Sequence, residues 1–152
     1  MESAYVSALT LFTKIIHEIP FNRMLGLKLE QVENDTITLS FAMKEELIGN
    51  YMHNILHGGV ISSVLDMAGG AAAMVAMIHK KPNQTLTQIA ASLSKASTIN
   101  LHVDYIQPGR GHHFIAKAQV LHSGNKVTFA RTELLNEDDV LIAVANGTYM
   151  IS

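Results

Sequence analysis

A 19-residue run, Val60 to Ile78, reads VISSVLDMAGGAAAMVAMI and carries a single charge, Asp66. No other feature constrains the fold as strongly. The run is long enough for a membrane-spanning helix. Its contents argue against one, because a mid-membrane carboxylate is costly and two serines and a Gly-Gly pair lie inside it. A helix apolar almost all round is otherwise one buried on every side. The run is therefore expected to be a central helix over 58–79 with no stable membrane insertion, and the remaining chain must supply its cover.

That cover is legible as a change of period. Tyr5, Leu9, Phe12, Ile16 and Ile19 are spaced as one stripe of an amphipathic helix over 1–19, ended by Pro20. LKLEQVE and TITLSFAM alternate on either side of Asn34-Asp35, as a hairpin does. A loop over 44–56 leads to the central helix, and Lys80-Lys81-Pro82-Asn83 breaks it. Thr85 and Gln88 form a capping-box pair, with Leu86, Ile89, Ala90 and Leu93 as a stripe, so 84–97 is expected to be an inserted helix. In TINLHVDYI, Ile99, Leu101, Val103 and Tyr105 alternate with Thr98, Asn100, His102 and Asp104. HFIAKAQVL, KVTFARTEL and VLIAVANGTYMI follow, divided by Ser123-Gly124-Asn125 and Glu137-Asp138-Asp139. The order predicts one α+β domain over 1–152, an antiparallel sheet wrapped around one long central helix.

Composition removes several classes of function. The 152 residues suit one core. A net charge of −2 with no basic run leaves no electrostatic footprint for nucleic acid. Zero cysteines exclude disulfides, zinc ribbons and thiol catalysis, and fit a reducing, cytoplasmic compartment. The opening segment, MESAYVSALTLFTKIIHEIP, lacks the pattern of a signal peptide. Apolar residues reach 48% against 16% charged, so some apolar surface is expected to be covered by another subunit.

The chemistry concentrates at His57-Gly58-Gly59, where loop becomes helix. A helix start leaves its first N–H groups unpaired at the positive end of the dipole. Glycine lets a carbonyl approach the backbone closely, so the place can serve as an oxyanion site. A plain Gly-Gly turn accounts for the same letters. Asp66 sharpens the choice, since an ionised carboxylate in so apolar a segment is either bonded to a structural partner or functional. One turn away lie only Ser62, Ser63, Gly69 and Gly70, with Ala73 and Met77 continuing the face. These leave room for a partner backbone or a substrate. Gly58 and Asp66 are eight positions apart, roughly 12 Å along a helix. They cannot both reach one carbon within a chain, so a shared reaction requires two antiparallel helices in a dimer. His53 and His57 have i, i+4 spacing without the intervening Glu of a zinc helix, so no metal is expected.

ILHGGVISSVLDMAGG, with VDYIQPGRG, HSGNKV and LIAVANGTYMI after it, resembles the PaaI-like group of hotdog-fold thioesterases. Within that group the chain resembles the YigI-like bacterial subgroup, which acts on medium- and long-chain acyl-CoA. The resemblance spans roughly 20–152. It implies a hotdog fold, thioester hydrolysis without a cofactor, and acyl-CoA as substrate. It gives Gly58 the amide that meets the thioester oxygen, with Gly59 beside it, and Asp66 of a second subunit the role of nucleophile or general base. It has His57 shape the loop, Thr98 orient water or substrate, and Arg110 and Lys126 lie near the CoA phosphates. Relatives often carry Asn six residues before the motif His; here that position is Tyr51, and the role passes to neighbouring Asn50 rather than Asn54. Ser62, Gly70, Ala73 and Met77 would line the acyl chain, and the 84–97 helix would be a lid for it or a packing insert. A homodimer, paired further into a homotetramer as a dimer of dimers, would be the assembly. A hydratase or dehydratase on the same fold is the neighbouring enzyme reading, though no His pairs with Asp66 in sequence. An acyl-CoA-responsive regulator is the non-catalytic one, though about 20 residues before the sheet are too few for a helix-turn-helix.

Overall fold

The computed structural model describes residues 2–151. It opens with α1 (Glu2–Glu18) and α2 (Pro20–Leu25). Met1, the first residue of the expected N-terminal helix, lies outside the described residues. Ala8, Phe12 and Ile16 form the buried stripe of α1. Pro20 does more than stop that helix. It occupies the first turn of α2, where a missing N–H goes unnoticed. Gly26 closes α2 at φ 73°, its N–H returning to the Arg23 carbonyl.

The chain then forms a hairpin, β1 (Lys28–Glu33) and β2 (Thr36–Ala42), turning at Asn34-Asp35. The expected loop contains a 3-10 turn at Glu45–Leu47 and a small hairpin, β3 (Ile48–Asn50) with β4 (Ile55–Leu56). The long helix α3 (Gly58–Lys80) follows, then α4 (Leu86–Leu93). Four long strands complete the chain: β5 (Ser97–Tyr105), β6 (His113–Ser123), β7 (Val127–Asn136) and β8 (Leu141–Met150). They join the first hairpin in one antiparallel sheet of order β1-β2-β6-β7-β8-β5.

The sheet curls around α3, whose neighbours include β2, β5, β6, β7 and β8. This answers the membrane question raised by the apolar run. Ile61, Val64, Leu65, Ala68 and Val75 are buried against protein rather than left for lipid. Phe41 and Phe114, register partners on β2 and β6, stack at 5.1 Å beneath the helix. Truncating either would cost about 3–5 kcal/mol.

Two expectations need correction. The capping box at Thr85 and Gln88 is present, but α4 ends at Leu93 rather than continuing to Ser97, which already pairs in β5. The strict alternation read from Thr98 to Tyr105 is also broken. A bulge between Thr98 and Asn100 reverses the faces, so Thr98 points inward with Leu101 and Val103 while Ile99 is exposed.

Candidate active site

The start of α3 is held by a histidine cap. His57 sits at φ −63°, ψ 135°, and its Nδ1 accepts the Gly59 N–H at 2.8 Å. Its carbonyl accepts from Val60 and Ile61, at 2.9 and 3.2 Å, and its own N–H donates to Leu47. The first turn is thereby satisfied except at one point: among the described residues nothing accepts the Gly58 N–H. Gly49 makes the close fit possible, since a Cβ there would lie 2.5 Å from the His57 Cα. Tyr105, at the end of β5, covers one side of Gly58 and donates its hydroxyl to the Gly58 carbonyl at 3.1 Å.

Two turns further along α3, Asp66 is half-buried at a pocket of about 280 Å³. Thr98 Oγ1 donates to Asp66 Oδ1 at 2.9 Å. The carboxylate keeps its second oxygen for other partners. Met67, Gly70 and Met74 of α3 make one wall, Phe21 of α2 another, and Tyr149 of β8 the floor. Tyr149 is buried, with its ring over Gly69 and Gly70. Its pKa is pushed above the ordinary phenol range, first by burial and then by the charge of Asp66.

The other expected residues fall in several places. Ser62 and Ser63 both donate to the Gly59 carbonyl, at 3.1 and 2.6 Å, and only Ser63 reaches the pocket. Ala73 and Met77 are buried in the core rather than on the pocket wall. They share a helical face with Asp66, but α1 covers that end of α3, where Tyr5 stacks on His79. Ile89 and Leu93 of α4 are likewise core residues, away from the Asp66 pocket. Asn50 is exposed at the end of β3, its Oδ1 accepting the Met52 N–H at 3.1 Å in a local turn. Arg110 is exposed and donates to the His53 carbonyl at 3.2 Å. With Lys44, His53 and His112 it lines a separate pocket of about 440 Å³ that excludes Lys126, exposed in the β6–β7 turn.

Sequence reasoning missed Tyr105, Gly49 and Tyr149. Tyr149 left a usable signal, because Gly147, Tyr149 and Ile151 alternate inward with the period of a strand.

Residues 53–143 match the model of the thioesterase superfamily. This chain belongs to that superfamily. It is 43% identical over 136 residues to the medium/long-chain acyl-CoA thioesterase YigI of Salmonella typhimurium, covering 90% of this chain and 88% of the relative. The Escherichia coli K12 protein of the same name is 41% identical over the same shares. Among solved structures, a thioesterase-superfamily-related protein from Shewanella oneidensis superposes with a TM-score of 0.93 at 36% identity, covering 97% of each chain. The E. coli PaaI protein of the phenylacetic acid degradation operon superposes at 0.77 with 17% identity, covering 98% of this chain and 96% of that one. The likeness to PaaI is one of fold. The fold is the hotdog, with α3 as its filling.

Proposed function

We propose that this protein hydrolyses medium- to long-chain acyl-CoA, consuming water and releasing a fatty acid and the CoA thiol. The observation that carries the reading is Asp66, held by Thr98 at the mouth of an apolar pocket on the helix whose first N–H has no acceptor among the described residues. Names borne by relatives above 40% identity supply the substrate class.

The thioester carbonyl would rest with its oxygen on the Gly58 N–H. There the positive helix end and one oriented donor stabilise the charge that develops as the carbonyl becomes tetrahedral. Asp66 would attack the carbonyl to give an anhydride, later cleaved by water, or would take a proton from the attacking water. In either route the CoA thiolate leaves and the acyl oxygen comes from water. The acyl chain would lie against Met67, Gly70 and Met74, ending near Phe21. Each buried methylene adds about 0.8 kcal/mol of binding. Arg110 and Lys44 suit the phosphates of CoA, while Lys126 would reach them only from elsewhere on the surface.

We further infer that the working unit is a dimer in which Gly58 of one copy meets Asp66 of the other. Their separation along one helix, roughly 12 Å, supports the sharing. So does the outer edge of β5, which has no strand beside it among the described residues and exposes Ile99 and Tyr105, with Ile106 just beyond. A dimer of dimers extends the same reading. A cytoplasmic location suits the substrate proposed.

The test is incubation of the purified protein with acyl-CoA of graded length, following free thiol, beside Asp66→Asn. Hydrolysis is expected by the parent and not by the variant, with both folded. An active variant would remove Asp66 from the reaction, and an inert parent would remove the activity itself.

A further inference from the structure

Tyr149 is a buried donor for which no role has yet been assigned. It stands on β8 as the register partner of Thr98 on β5. Cross-strand partners present their side chains to the same face of a sheet. Thr98 already donates to Asp66 across that face. Tyr149 lines the same pocket and is 2% exposed, yet its hydroxyl makes no protein hydrogen bond of normal geometry. A buried hydroxyl without a partner is costly, so its position calls for an explanation.

Two glycines hollow out the space it occupies. A Cβ on Gly69 would lie 2.2 Å from the Tyr149 hydroxyl, and one on Gly147 2.3 Å from it. Gly69 is three residues beyond Asp66, on the neighbouring turn of α3. The cradle therefore sets the hydroxyl against the turn of α3 that follows Asp66, in the pocket both residues line. The direction of the phenol's pKa agrees. Burial raises it first and the Asp66 charge second, so the group stays protonated and able to donate.

We propose that Tyr149 is a positioning residue for hydrolysis, its hydroxyl acting beside Thr98 as a second donor that holds the charged Asp66 carboxylate. It transfers no proton. Two donors aim the carboxylate into the pocket. The inference rests on Asp66 being the working acid.

Tyr149→Phe keeps the ring and the cradle and removes only the donor. The expected result is a fall in kcat of about 10- to 100-fold with KM little changed. A merely structural tyrosine would lower stability without that kcat-only loss. At one fixed pH, the 13Cζ resonance of Tyr149 should differ between the parent protein and Asp66→Asn, which replaces a charged acceptor with a neutral one. An unchanged 13Cζ resonance overturns the proposal whether or not Tyr149→Phe folds. So does a folded Tyr149→Phe with parental kcat while Asp66→Asn is inactive. An active Asp66→Asn would instead sink the underlying mechanism, and the 13Cζ comparison would still report whether the two groups touch.

Discussion

Gly58 offers a substitution that deletes one atom's worth of chemistry from the site. It is the first helical residue of α3, the position where proline is best tolerated. A proline there removes an N–H that has no acceptor among the described residues. The residue before a proline is pushed to extended geometry, and His57 already has it, at φ −63° and ψ 135°. The new Cβ would stand 3.5 Å from the Tyr105 ring, an ordinary contact. Gly58→Pro should therefore change stability by less than about 1 kcal/mol, and the stiffer unfolded chain biases the change toward gain. Its effect on hydrolysis should be large. Losing an oxyanion donor costs about 2.7–4 kcal/mol of transition-state stabilisation, or roughly 100- to 1,000-fold in kcat. Gly58→Ala is the control, since it adds the same Cβ and keeps the N–H. Thermal melts and free-thiol release on a long-chain acyl-CoA would be measured for both. Equal activity in folded Pro and Ala variants would refute the assignment of this amide to the thioester oxygen.

Mixing Asp66→Ala chains with Gly58→Pro chains should restore about a quarter of parental activity at equal amounts, since half the dimers are mixed and each holds one intact site. No recovery after verified subunit exchange would place both groups in one chain. For chain length, Met74→Phe should shift the optimum to shorter acyl-CoA because it narrows the pocket. Met77→Ala should leave the optimum in place and cost about 2–5 kcal/mol of stability, as a core truncation does.

The fold was open to reading wherever one local signal met no competitor. The apolar run favoured a buried helix over a membrane span because of its mid-run carboxylate, and the sheet does cover it. Asn34-Asp35 and the later turns divided alternating runs, and antiparallel pairing followed. The end of α4 was harder. KAST carries no glycine or proline to announce a stop, and Ser97 is drawn into the sheet by its partner Met150, a contact more than fifty residues away. Ala73 and Met77 show the same limit on the helix side. Periodicity placed them correctly on the face of Asp66, but which stretch of that face is covered depends on α1, which local patterns do not position.

At the site, one irregularity in the sheet determines what the carboxylate sees. Period-2 counting from Leu101 and Val103 sends Thr98 to the outer face. The bulge between Thr98 and Asn100 adds one residue to β5, and a one-residue slip exchanges the faces of everything beyond it. Thr98 therefore turns inward to Asp66, and the apolar Ile99 is exposed on the open edge of the sheet. The two consequences belong together. A regular strand would have turned Ile99 inward and left Asp66 without the Thr98 hydroxyl. The bulged strand gives the acid a donor and gives the edge an apolar residue that a second copy can cover. If the edge is where that copy binds, the same backbone irregularity both prepares the acid and helps build the interface that brings a Gly58 amide to it.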